Sequence, residues 1–143
     1  MTTADIVAKL NRLTISSSED YAPLDRLDEL TSLLAHNPDG QLACGALLAV
    51  LERHPHVEFG TPGRLVHAIE SYRGHYEELL LASLNRRPTA TTVWLLNRLL
   101  NAARGAEWNQ LLDKLDRLRN HPLADEQAHA AAEDFYRFQT QGS

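Results

Sequence analysis

The chain has 143 residues, 43% hydrophobic and 23% charged, a composition that excludes disordered and fibrous classes and fits one folded domain. Its 19 acidic and 14 basic residues give a formal net charge of −5, which disfavours direct nucleic-acid binding because phosphates attract basic surfaces. No stretch approaches the roughly 20 apolar residues of a membrane span, and the N-terminal residues lack the pattern of a secretory signal. With Cys44 as the single cysteine, we expect a cytoplasmic protein without a disulfide or a membrane partner.

Apolar residues at helical spacing run through the first half of the chain and predict four helices. Polar residues 16–20 precede the second of them, as is typical of a helix start. The apolar positions are, in order, Ile6, Leu10 and Leu13; Leu24, Leu27, Leu30 and Leu34; Ala43, Ala46, Leu47, Val50 and Leu51; and Leu65, Val66, Ile69 and Tyr72.

Four more helices are predicted in the second half. The sixth follows Pro88, and its apolar residues at 93–96 and 99–100 lie on every side, so we expect the other helices to enclose it. The eighth is predicted to begin near Pro122. The apolar positions of the other three helices are Tyr76, Leu79, Leu80 and Leu84; Trp108, Leu111, Leu112, Leu115 and Leu118; and Ala128, Ala131, Phe135 and Phe138.

The stretch "FGTPG" at residues 59–63 is predicted to start the fourth helix. Thr61 can cap the helix with its hydroxyl, Pro62 suits the first helical position, and the two glycines allow a sharp turn. Prolines recur between helical patterns in "HNPDG" (36–40), "NRRPT" (85–89) and "NHPLAD" (120–125). The chain is therefore predicted to be all-α with about seven to eight helices, arranged either as stacked antiparallel helix hairpins resembling a degenerate helical repeat or as an irregular bundle. We expect a single helical domain over residues 1–138 and a frayed tail over 139–143.

Histidines near the C-terminus raise the question of a metal site. His121, Asp125, His129 and Glu133 follow one another at four-residue steps. His121 precedes a proline, however, and an acid at position 125 is explained by its favourable interaction with the positive end of a helix. We therefore expect no metal.

The sequence also lacks the marks of a catalytic site or a cofactor site. It has no nucleophile turn, no glycine-rich phosphate loop and no CxxC pair, although His67 and Glu70 share one helix face. Asn97 and Asn101, one turn apart on the enclosed helix, are better explained as groups that hold neighbouring helices than as ligands of a bound molecule. We expect neither an enzyme nor a cofactor.

Two acidic groups are the candidate binding residues. One lies on the side of the second helix away from its leucines, and the other is spread around residues 58–78. A solvated surface is the usual role of such groups, but together they can attract and bind a basic protein. The candidates are Asp25, Asp28, Glu29, Glu58, Glu70, Glu77 and Glu78.

The block from Phe59 to Asn101 resembles small bacterial immunity proteins encoded next to polymorphic or contact-dependent growth-inhibition toxins. The shared pattern is Gly-x-Pro-Gly, then a leucine and a helical glutamate, then "YEELL", then Arg-Pro-Thr before "VW-LNR-LN". The matching residues are Gly60, Pro62, Gly63, Leu65, Glu70, Tyr76, Glu77, Glu78, Arg87, Pro88, Thr89, Val93, Trp94, Asn97, Arg98 and Asn101.

The resemblance implies a protein that binds a cognate toxin and blocks its active or substrate-binding surface. If the toxin is a nuclease, its basic groove would suit the acidic groups named above. Immunity proteins vary most where they touch their toxins, so the shared block is expected to be scaffold. The alternative is a helical scaffold or adaptor for another protein. The sequence leaves the oligomeric state open.

Overall fold

All regular secondary structure in the described part of the chain is helical. The computed structural model describes residues 1–60 and 63–141, which contain eight α-helices and no strand, so the predicted all-α fold with seven to eight helices is confirmed. None of these helices is both long enough and apolar enough to cross a membrane. The elements are α1 (Thr3–Arg12), α2 (Tyr21–Leu34), a 3-10 helix (Gly40–Ala43), α3 (Cys44–Arg53), α4 (Arg64–Glu70), α5 (Glu77–Arg86), α6 (Ala90–Ala102), α7 (Gly105–Leu118) and α8 (Glu126–Gln141).

The chain divides into two compact units, Met1–Leu79 and Leu80–Ser143, called unit 1 and unit 2 below. Helix α5 begins in unit 1 and ends in unit 2. The single domain over residues 1–138, and the choice between stacked hairpins and an irregular bundle, stay predictions.

Unit 1 is built on α1, which packs against α2, α3 and the 3-10 helix, while α4 packs against α2 and α3. Helix α1 starts with a capping box, in which Thr2 and Asp5 each satisfy a backbone N–H of the other. Most leucines and isoleucines of the stripes predicted from the sequence are buried, whereas Leu13 and Leu24 are partly exposed. Fully buried side chains include Ile6, Leu10, Leu27, Leu30, Leu34, Leu47, Leu51, Leu65 and Ile69.

Two side chains at the end of α3 hold the segment that follows α1. His54 is buried; its Nδ1 lies 2.7 Å from the carbonyl oxygen of Val50, and its Nε2 accepts a hydrogen bond from the Ile15 N–H at 3.1 Å. These partners assign the neutral ring with its proton on Nδ1. Arg53 donates to the carbonyl oxygen of Leu10 at 2.9 Å, where α1 ends. The connection between α1 and α2 thus depends on polar contacts with α3.

The glycines of "FGTPG" have separate structural reasons. Gly60 has φ of +93°, which favours glycine, and Gly63 is the N-cap of α4. A Cβ at Gly63 would collide with the carbonyl oxygen of Phe59, so only glycine fits this close approach of backbone to backbone. The roles predicted for Thr61 and Pro62 lie outside the described residues. The described helix begins at Arg64.

In unit 2, each of α6, α7 and α8 packs against the other two. Helix α6 is largely enclosed, as its apolar sequence predicts, although Trp94 and Leu99 are partly exposed. Its start is a capping box between Thr89 and Thr92, with Pro88 just before the cap rather than inside the helix. Pro88 therefore precedes the N-cap of α6, whose first helical position is Ala90.

Helix α8 differs from its prediction at both ends. It starts at Glu126 rather than near Pro122, because the Asp125 carboxylate caps the N–H of Ala128 at 2.8 Å. Its buried positions are Ala128 and Ala132, and the side chain predicted to extend the packing seam, Phe138, is 59% exposed. The helix continues to Gln141, three residues into the predicted frayed tail of residues 139–143, of which 142–143 lie outside the described residues.

Candidate functional site

Charge is divided unequally between the two units. Unit 1 has twelve acidic and six basic residues, a formal charge of −6, whereas unit 2 has seven acidic and eight basic residues, a formal charge of +1. All seven acidic residues proposed from the sequence as binding groups lie in unit 1. The excess acidity of the protein is therefore a property of one unit and not of the chain as a whole.

Helix α2 carries three of these candidates on its solvent side. Asp25 and Glu29 are exposed and Asp28 is partly exposed, while Leu27 and Leu30 on the other side are buried. Spacings of three and four residues place such side chains on one helix face. Glu29 forms an ion pair with Arg26 at 2.9 Å, whereas Asp25 and Asp28 have no ion pair with any described residue.

The turn before α2 brings Glu58 to the same area. The Glu58 N–H donates to the hydroxyl of Ser18 at 2.8 Å, next to Glu19 and Asp20 in the chain. The Asp20 carboxylate accepts hydrogen bonds from the N–H and the hydroxyl of Ser16, both at 2.9 Å, and these bonds lower the pKa of Asp20. We call the group of exposed and partly exposed acidic residues formed by Glu19, Asp20, Asp25, Asp28, Glu29 and Glu58 the α2 acidic surface.

An exposed aromatic side chain within the α2 acidic surface is a feature that the sequence analysis missed. Tyr21, the first residue of α2, is 67% exposed and lies between Asp20 and, one turn later, Asp25. Tyrosine is enriched in protein interfaces, and a ring bordered by carboxylates suits a guanidinium or ammonium group. Its position beside a polar helix start, outside the leucine stripe of α2, was the available sequence signal.

The other three candidates have different surroundings. The Glu77 carboxylate accepts the N–H of Gly74 at 2.9 and 3.0 Å, so it closes the turn before α5. Glu78 is exposed and has no hydrogen bond or ion pair with a described residue. Glu70 ends α4, a helix that packs against α2, and is partly exposed. Of the seven candidates, Asp25, Asp28 and Glu29 share one face of α2, and Glu58 is linked through its backbone to Ser18, three residues before that helix.

The side chains considered as metal ligands in unit 2 bond to other groups of the same chain. His121 Nε2 lies 2.9 Å from the carbonyl oxygen of Asn85, and His129 Nε2 lies 2.8 Å from that of His121. Glu133 pairs with Arg119 at 2.8 Å. Within residues 1–60 and 63–141, no three histidine, cysteine or acidic side chains are grouped as metal ligands would be.

Arg119 forms two ion pairs and an aromatic contact within unit 2. It pairs with Asp116 at 2.7 Å and with Glu133 at 2.8 Å, and its guanidinium lies 4.3 Å from the ring centre of Tyr136. Hydrogen bonding from Arg119 lowers the pKa of Glu133. Here opposite charges join α8 to the end of α7, in contrast to the acidic side chains of the α2 acidic surface.

The amides of Asn97 and Asn101 bind a third amide. Gln139 Nε2 donates to Asn97 Oδ1 at 2.7 Å and to Asn101 Oδ1 at 2.8 Å, and its Oε1 accepts from Trp108 Nε1 at 3.3 Å. These bonds join α6, α7 and the last turn of α8, which explains why α8 stays helical beyond residue 138.

Cys44 lies in the core of unit 1. It is fully buried, and burial raises the pKa of its thiol to about 11. The thiol is therefore protonated near neutral pH and poorly suited to nucleophilic chemistry.

Comparison of the chain with protein-family models, with curated protein sequences and with solved structures gave no match.

Proposed function

We propose that the protein is an immunity protein that binds a cognate bacterial toxin through the α2 acidic surface and covers the toxin's active or substrate-binding surface. The observation that carries this proposal is the concentration of negative charge in unit 1, where the exposed Tyr21 lies between the partly exposed Asp20 and the exposed Asp25. The resemblance of residues 59–101 to immunity proteins supports it.

Electrostatics supports a basic partner. Carboxylates on one exposed helix face raise the local concentration of a positively charged protein and speed its association. Tyr21 adds a large apolar area that needs little ordering on binding, as aromatic residues do at the centre of many interfaces. A toxin that is a nuclease would offer such a partner, because its substrate groove must be basic to bind phosphates. Covering that groove would block the substrate without any chemistry by the immunity protein.

The resembling block fits a scaffold role within this proposal. Gly63 is required by a backbone approach, Thr89 caps α6, and Asn97 and Asn101 bond to Gln139. These residues stabilise helices and leave the α2 acidic surface to vary with the partner.

Co-expression is the direct test. The chain is expressed together with the product of the adjacent upstream reading frame, and bacterial growth and co-purification are measured. Rescue of growth with a stable complex is expected. A complex that forms without any toxicity of the partner would reject immunity and favour a helical scaffold or adaptor.

Charge reversal tests the surface itself. In the triple variant Asp25→Lys, Asp28→Lys, Glu29→Lys, the association rate at low salt should fall by at least about tenfold, because attraction becomes repulsion. The matched control reverses three exposed acids of unit 2, Glu107, Glu126 and Asp134, with the same change in net charge. Equal association rates for the two variants, both shown to be folded by thermal melting, would reject the α2 acidic surface.

A further inference from the structure

Unit 2 contains a cleft of about 170 Å³ that the proposed function does not use. The side chains of Leu81, Leu84 and Leu118 supply its apolar lining, from α5 and α7. Lys114, Arg117 and His121 bring polar and charged groups to the same space. An apolar lining combined with cationic groups suits a molecule that is apolar at one end and anionic at the other.

The cationic groups of the cleft differ in their availability. The Arg117 guanidinium is engaged by Asp113 at 2.8 Å. Lys114, which is partly buried, forms no hydrogen bond or ion pair with any residue that the structure describes. A partly covered ammonium group gains more from an anionic partner than a fully hydrated one does, since less water screens the pair. Lys114 is therefore the group that can accept an anion without breaking an existing contact.

His121 is a fixed part of the cleft rather than a second anion-binding group. Its Nδ1 accepts the N–H of Leu123 at 3.1 Å, and its Nε2 donates to the carbonyl oxygen of Asn85 at 2.9 Å. Both ring nitrogens are thus used within the protein, and the ring holds the end of α5 to the loop after α7. The cleft keeps its shape through these two bonds.

The size of the cleft restricts the ligand. Its volume is similar to the roughly 150 Å³ of a cavity that holds benzene, and below the roughly 300 Å³ at which typical cofactor and drug sites begin. We propose that the cleft binds a small monocarboxylate with an apolar body about the size of a phenyl ring, placed among the three leucines, and with its carboxylate on Lys114. None of the residues that line the cleft belongs to the α2 acidic surface.

The probe that tests this site is 3-phenylpropanoate, and 3-phenylpropan-1-ol is its neutral counterpart. Binding of each probe is measured by NMR from the shifts of backbone amide signals. Saturable shifts at α5, α7 and residues 118–123 are expected for the acid. The alcohol should bind at least about tenfold more weakly, because it lacks the charge that pairs with Lys114. Absence of saturable shifts, or shifts confined to unit 1, would overturn the proposal.

The chain has only two lysines, which provides a matched pair of variants. Lys114→Met should weaken binding of the acid by at least about tenfold, to the level of the alcohol, whereas Lys9→Met on an exposed position of α1 should not change it. Leu81→Trp, which fills the cleft from a partly exposed position, should abolish binding of both probes. If the acid binds Lys114→Met as tightly as it binds the wild type, or if both probes bind Leu81→Trp as they bind the wild type, the probe binds elsewhere and the proposal is overturned.

Discussion

The two units use charged side chains for different purposes. In unit 2, Arg119 joins Asp116 and Glu133 across two helices, so opposite charges stabilise the unit itself. In unit 1, Asp25 and Glu58 lie exposed without an ion pair to any described residue. The segment after α1 is held there by His54 and Arg53, which bond to backbone groups. A carboxylate that does not stabilise its own fold is free to serve binding, whereas one that pairs with arginine inside the fold is not.

The largest effect on stability is expected at His54. Replacing it with alanine leaves the N–H of Ile15 without its acceptor in a buried position and opens a cavity beside α3. We expect His54→Ala to lower the free energy of unfolding by about 3 kcal/mol. Chemical denaturation followed by circular dichroism measures it. Exposed His36→Ala is the control, and a loss equal to that of the control would contradict a structural role for the buried ring.

A smaller, pH-dependent effect is expected at Glu133. Its pKa is lowered in the folded protein by Arg119, so its contribution to stability is present above the ordinary value of 4.5 and is lost as the pH falls through the folded value. Glu133→Gln should lower stability at pH 7 and reduce the loss of stability between neutral and acidic pH.

Thermal melts from pH 7 down to pH 3 measure this difference. Asp25→Asn, which removes an exposed carboxylate that has no ion pair with a described residue, is the matched control and should leave the pH profile close to that of the wild type. Identical profiles for Glu133→Gln and the wild type would remove the contrast between the two units.

The smallest effect is expected at Phe138. The sequence places it in a packing seam, but its side chain is 59% exposed. Phe138→Ser should therefore change the free energy of unfolding by no more than about 0.5 kcal/mol. Ala132→Ser, at a fully buried position of the same helix, is the comparison and should cost more. A larger loss for Phe138→Ser would mean that this side chain is covered in solution.

Helical periodicity predicted the helices well, but it did not decide which of several neighbouring apolar residues are buried. Residues three or four positions apart can both lie on one face of a helix. The sequence of α8 therefore did not distinguish the predicted apolar stripe, which ends in Phe138, from the observed buried positions Ala128 and Ala132. The sixth helix was predicted to follow Pro88 and does so, but a proline suits both the first helical position and the position before the cap, so Pro88 alone could not fix its first residue.

The candidate surface was predictable only in part. Exposure of Asp25 and Glu29 follows from the leucine stripe on the other side of α2. The hydrogen bond between Glu58 and Ser18, forty residues earlier, depends on the tertiary fold, and no local sequence pattern predicts it. The same holds for the pair of Arg119 and Glu133, which are fourteen residues apart.

The hydrogen bond from Trp108 to Gln139 belongs to unit 2, and so does the other tryptophan, which makes tryptophan fluorescence a probe of that unit. That other tryptophan is Trp94, which lies beside Arg98. Intrinsic tryptophan emission therefore reports on two side chains of unit 2, whereas far-UV circular dichroism follows the helices of both units. Coincident denaturation curves from the two signals would indicate one cooperative domain, and separated curves would give each unit its own stability.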